Sequence, residues 1–140
     1  MKIDQSIFKA YDIRGIYNKN LFDETAEAIG KAFAKIIKPT SIVVGRDGRV
    51  SSPILFEKLT SSLMEMGVNV IDIGMVSTDM YYYACATKEL PGIMVTASHN
   101  PKEYNGFKMV KKIPQLLTGD DGITEIRDTI IADAFDQPAK

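Results

Sequence analysis

Gly92-Ile93-Met94-Val95-Thr96-Ala97-Ser98-His99-Asn100-Pro101-Lys102-Glu103-Tyr104-Asn105-Gly106-Phe107-Lys108 is the stretch around which the rest of the chain is arranged. Ile93-Met94-Val95 is too short an apolar run for a helix and reads as a buried strand. Small and polar residues follow at once. Asn100 precedes Pro101 and is pushed away from helical backbone angles, so the chain turns there rather than coils. Asn105-Gly106 is a tight-turn dipeptide, and Phe107-Lys108-Met109-Val110 reads as a second strand. The expected unit is therefore a strand, a loop presenting Ser98 and His99, and an antiparallel strand returning alongside. Loops held on a rigid sheet are where chemistry tends to sit.

Working outward, the segments before this unit alternate in period. Ile7 to Gly15 mixes apolar and polar residues and reads as an extended piece turning at Gly15, or as an edge strand with a solvated arginine. Asp23 is the expected N-cap of a helix whose Ala26, Ile29, Gly30, Phe33, Ile36 and Ile37 share one apolar face. Pro39 ends it. Ser41 to Gly45 is a buried strand, and Arg46-Asp47-Gly48-Arg49 a polar turn. Ser51 or Ser52 caps the next helix, with Leu55, Leu59, Leu63 and Met66 inward and Gly67 as its C-terminal cap. Val68 to Gly74 is a third strand. Ser77 or Thr78 caps a helix through Ala86, in which Tyr81, Tyr82 and Tyr83 span every face and so do not all enter the core. Asp120 or Asp121 caps a last helix carrying Ile123, Ile126, Ile130 and Ile131.

Strands alternating with helices predict an α/β protein with three layers, α/β/α. The mixed sheet is expected to hold about four strands, the first three parallel through right-handed crossovers and the last antiparallel. Residues 1–134 are expected to form one domain, with 135–140 a linker or frayed end containing Pro138.

Composition narrows the class. The chain has 140 residues, enough for a core without staples, and its 45% hydrophobic and 25% charged content is ordinary for a globular protein. A formal net charge of -1 argues against binding nucleic acid or a membrane surface, which calls for a basic excess. Cys85 is the single cysteine; it lies in an apolar stretch and reads as a buried thiol. No leader pattern and no run of about 20 apolar residues is seen, so a cytoplasmic location is expected.

Ser98-His99 invites a serine-hydrolase reading, but adjacent residues in an extended chain face opposite ways, and no Gly-x-Ser-x-Gly elbow surrounds Ser98. His99 is the only histidine, which leaves neither a triad nor a His/Cys metal site. Neither glycine-rich nucleotide cradle occurs. Phosphoryl chemistry fits better. A loop serine holds a phosphoryl group covalently, adding about -1.5 to -2 charge that calls for nearby cations, and Lys108 and Arg14 are the candidates. Spacing alone leaves a capping serine and a solvated lysine equally open.

Thr96-Ala97-Ser98-His99-Asn100-Pro101 with Asn105-Gly106-Phe107-Lys108 resembles the phosphoserine loop of the α-D-phosphohexomutases, the phosphoglucomutase/phosphomannomutase family. Phe8-Lys9-Ala10-Tyr11-Asp12-Ile13-Arg14-Gly15, Val44-Gly45-Arg46-Asp47-Gly48-Arg49 and Ile73-Gly74-Met75-Val76-Ser77-Thr78 agree with the same family in the same order. The resemblance covers essentially the whole chain and implies the family's N-terminal domain. It implies that Ser98 is phosphorylated and passes its phosphoryl group to and from a hexose phosphate through a bisphosphate intermediate. His99 then matches a group for proton transfer and Lys108 one for charge stabilisation. Arg14, with Tyr11 close by, matches substrate- and phosphate-binding positions, and Asn100 shapes the loop. Arg46 and Asp47 match a pair expected to pin a turn.

The same resemblance implies Mg²⁺ as cofactor, touching Ser98 only through its phosphate, and a hexose 1,6-bisphosphate as activator. The family's Asp-x-Asp-x-Asp metal loop, its sugar-recognition loop and its final phosphate-binding loop belong to later domains and do not occur in these residues. Partners implied are the hexose phosphate and the remaining phosphohexomutase domains, with no nucleic acid and no membrane. An exposed domain interface would also favour self-association. The domain alone is expected to be inactive. The alternative is a free-standing, non-catalytic binding or assembly domain derived from the same family. Sugar preference is set outside these residues.

Overall fold

A computed structural model describes residues 3–112 and 115–132. The expected trailing segment 135–140 lies outside the described residues. Six strands form one mixed sheet: β1 (Ile13–Ile16), β2 (Ser41–Arg46), β3 (Asn69–Met75), β4 (Gly92–Val95), β5 (Tyr104–Lys112) and β6 (Gln115–Leu116). The order is β1-β5-β4-β2-β3, with β6 added to β5. β3 and β4 both run parallel to β2, while β5 is antiparallel to β4, β1 and β6. The expected core of the sheet is present, and β1 and β6 enlarge it beyond about four strands.

Helices cover both faces. α1 (Asp23–Ile37), α2 (Ser52–Glu65) and α4 (Ile123–Ala132) lie on one, and α3 (Thr78–Lys88) on the other. Alternation along the strands assigns the side chains. Ile42, Val44, Ile93 and Val95 join Phe33, Leu55, Leu59 and Leu63 in the larger core. Val43, Met94 and Val110 meet Tyr81 and Cys85 beneath α3. Leu55, Leu59 and Leu63 are completely buried, each contributing about 1.5–3 kcal/mol of transfer free energy. α1 and α2 approach closely at Gly30, where a Cβ would stand 2.0 Å from the Ser62 hydroxyl.

Several local readings change. Asn105-Gly106 is no turn: both residues lie inside β5, opposite Gly15 and Arg14 of β1. The reversal is made by residues 96–103 instead. Glycine is required at 106 because the neighbouring strand is so close; a Cβ there would lie 2.0 Å from the Ile13 carbonyl oxygen. Gly15 likewise sits within β1 rather than at a turn. Asp23 is the first helical residue rather than the cap. Its carboxylate accepts from the Tyr17 hydroxyl at 2.5 Å, and the Thr25 hydroxyl accepts the Phe22 N–H at 3.0 Å. Asp121 pairs with Lys111 at 2.6 Å instead of capping α4, and Ile131 is 40% exposed. Ser77, by contrast, caps α3, its hydroxyl accepting from the Met80 N–H at 3.1 Å. Of the tyrosine triplet, Tyr81 is buried, Tyr82 half-buried and Tyr83 exposed.

Candidate active site

β2 and β4 are parallel neighbours, with Arg46 opposite Val95, so the loops that follow them emerge side by side. Past β4 the chain closes a short path: the Thr96 N–H donates to the Gly106 carbonyl at 2.9 Å, and the Asn100 N–H to Ala97 at 3.1 Å. Ser98 sits within this path at a φ of +55°, left-handed backbone that a residue with a side chain adopts only under strain. Its N–H donates to the Thr96 hydroxyl at 3.0 Å.

Ser98, His99 and Asn100 line one cavity of about 690 Å³ together with Arg14 and Lys108. Arg14 comes from β1 and Lys108 from β5, so sheet pairing gathers residues that are far apart in sequence. Arg14 is not a free solvated arginine: it is half-buried and paired. Its guanidinium donates to the Asn100 side-chain oxygen at 2.7 Å and to the Asp12 carboxylate at 2.6 Å. Asp12 also stands 3.5 Å from the Lys108 ammonium. One buried carboxylate thus faces two cations, leaving positive charge toward the cavity. The Arg14 Nε is buried with no hydrogen-bond partner in the protein. The Tyr81 hydroxyl donates to the Lys108 carbonyl at 3.1 Å, fixing that residue's backbone from the opposite face. The start of α3 borders the same cavity through Ser77 and Thr78, and its dipole favours negative charge there.

Tyr11 does not line the cavity; its side chain is 74% exposed. His99 is exposed at the cavity wall. The expected Arg46–Asp47 pair does not form. Arg46 instead stands 3.6 Å from Asp72 and over the Phe56 ring, 4.7 Å from its centroid. The Asp47 carboxylate takes the Arg49 Nε–H at 3.2 Å, the Arg49 backbone N–H at 3.1 Å and the Ser52 hydroxyl at 2.6 Å. Sequence reading missed two residues of this site. Asp12 lies within a matched stretch but carried no signal of burial. Arg49 binds only backbone oxygens of the serine loop, which no side-chain pattern announces.

The site is formed on an α/β/α domain by loops at the ends of strands, with a loop serine in left-handed backbone sharing a cavity with two cationic side chains. The family model for phosphoglucomutase/phosphomannomutase, alpha/beta/alpha domain I, matches residues 5–137. The chain belongs to this family, as its domain I. A phosphoglucomutase of Neisseria meningitidis serogroup B is 46% identical over 95% of this chain. A phosphomannomutase of Escherichia coli is 42% identical over 94% of it. In each case the chain spans 29% of the relative's length. The crystal structure of a phosphoglucomutase/phosphomannomutase family protein from Burkholderia thailandensis superposes with a TM-score of 0.88 at 38% identity. The match covers 99% of this chain and 32% of that one.

Proposed function

We propose that this domain supplies the phosphorylated serine of a hexose-phosphate mutase, Ser98. The observation that carries the reading is the cavity itself, where Ser98 shares a wall with Arg14 and Lys108. In the first half-reaction a hydroxyl oxygen of a hexose monophosphate attacks the phosphorus on Ser98. A sugar O–P bond forms as the Ser98 Oγ–P bond breaks. The sugar hydroxyl loses its proton and the serine oxygen gains one, with His99 as the proton carrier at the loop. The resulting bisphosphate turns over and returns its other phosphoryl group to Ser98 by the same step reversed. Such transfers depend on positioning and charge stabilisation, a role that falls to Lys108 and Arg14. Asn100, bonded to Arg14, orients that guanidinium.

Among the described residues, no group of three or more His, Cys, Asp or Glu could hold a metal ion. In this reading the metal's ligands besides the Ser98 phosphate come from other domains. A hexose 1,6-bisphosphate loads Ser98 at the outset. No helix among the described residues is long and apolar enough to cross a membrane. Met75, Met80 and Tyr83 are exposed around α3, surface that further domains, or a second copy of the chain, would cover.

The test supplies the remaining domains of a relative in trans and assays conversion of glucose 1-phosphate to glucose 6-phosphate. Restored turnover that disappears with Ser98→Ala supports the reading. Well-folded pieces that associate without turnover would favour a non-catalytic assembly domain.

A further inference from the structure

Arg49 lies in the turn after β2, and its side chain is 13% exposed. Its Nε donates to Asp47 at 3.2 Å. Its Nη1 donates to the carbonyls of Pro101 at 2.7 Å and Tyr104 at 3.1 Å. Its Nη2 donates to those of Ser98 at 2.9 Å and Asn100 at 2.8 Å. A guanidinium has five N–H groups in a rigid planar fork, and in Arg49 each has an acceptor.

Three carbonyl oxygens of one short loop, and that of Tyr104 where β5 begins, therefore converge on a single guanidinium. Their dipoles repel one another, and only a cation at the centre makes that path favourable. A lysine ammonium offers three donors from one atom and does not span four acceptors while also meeting Asp47. The same loop contains Ser98 in left-handed backbone, a conformation that persists only where the surroundings over-determine it.

We propose that Arg49 is the positioning residue of the serine loop. Anchored by Asp47, it gathers the loop's carbonyls and so holds Ser98 in its strained conformation on the cavity wall. What that position is for rests on the phosphoserine reading; the clamp itself does not.

The test is read on the chain without any substrate. In the wild type, the Arg49 Nη protons should give separate, slowly exchanging NMR signals, and the Asn100 and Tyr104 amides should be protected. Arg49→Lys and Arg49→Ala, with β2 and β4 amides still protected, should speed exchange at Asn100 and Tyr104 by about tenfold or more. Millimolar guanidinium ion should restore protection in Arg49→Ala, which a general loss of packing would not allow. Unchanged loop exchange in both folded variants would overturn the proposal. If neither variant folds, freely averaging Nη signals in the wild type overturn it, and slow ones support it. Ser98→Ala should leave loop protection intact, so absence of serine phosphorylation overturns the phosphoserine reading without touching the clamp.

Discussion

Asp12 holds the ammonium of Lys108 at 3.5 Å from a side chain that is only 4% exposed, while binding Arg14 at 2.6 Å. One carboxylate thereby ties the residue ahead of β1 to the middle of β5 and sets the spacing of both cations. Removing it leaves two partly buried positive charges facing each other.

Asp12→Ala should therefore cost about 2–3 kcal/mol, discounted because Arg14 and Lys108 keep some contact with water. Equilibrium urea unfolding measures it. A loss below about 0.5 kcal/mol, within the range of ordinary surface substitutions, would show the carboxylate to be idle.

Gly106→Ala forces a methyl group against the Ile13 carbonyl, 2.0 Å away, and should separate β1 from β5. The expected loss is about 2 kcal/mol or more. Gly48→Ala is the control, since the nearest atom to its Cβ is the Met75 sulfur at 3.5 Å. It should change thermal stability by no more than about 0.5 kcal/mol.

Ser98→Gly should raise stability by up to about 1 kcal/mol, because glycine adopts the +55° φ without a Cβ penalty. Ser98→Ala keeps that penalty and should not gain. Thermal melts of the pair separate relief of strain from loss of the hydroxyl.

Burial under α3 pushes the Cys85 thiol up to about 11, and burial pushes Tyr81 up as well. Both groups are neutral in the folded chain. An ordinary thiol, as in the unfolded chain, ionises near 9.0. The unfolded state then holds fewer protons, so stability is complete below about pH 9 and falls as pH rises toward about 11. Urea midpoints across that range should show a loss on the order of 2 kcal/mol from Cys85 alone. Cys85→Ala should flatten the slope while lowering stability near neutral pH.

The order of strands and helices was legible because hydrophobic period and helix-stop residues are local signals; Pro39 and Ser77 behave as read. Asn105-Gly106 misled because the dipeptide's turn preference is also local, whereas its real constraints are distant. Gly106 answers to Ile13 on another strand, and the Asn105 amide donates to the Ser51 and Ser52 hydroxyls at 2.8 and 3.0 Å. The cavity residues Ser98, His99, Asn100, Arg14 and Lys108 were legible through family motifs. Tyr11 was drawn in by adjacency to Arg14, yet its side chain points into solvent. Asp12 and Arg49 were not legible, since burial of a carboxylate and binding of main-chain oxygens arise only when non-adjacent segments meet.

Every loop group that Arg49 touches beyond its own turn is a main-chain oxygen. The path of the serine loop is thus held largely from outside, with the Thr96 hydroxyl and the Asn100 side chain adding one bond each from within. Chemistry and contour are encoded at separate addresses in the chain. Exposed His99 can be rewritten to another reactive group on an unchanged mould, whereas one change at position 49 would discard the mould and leave every reactive group in place.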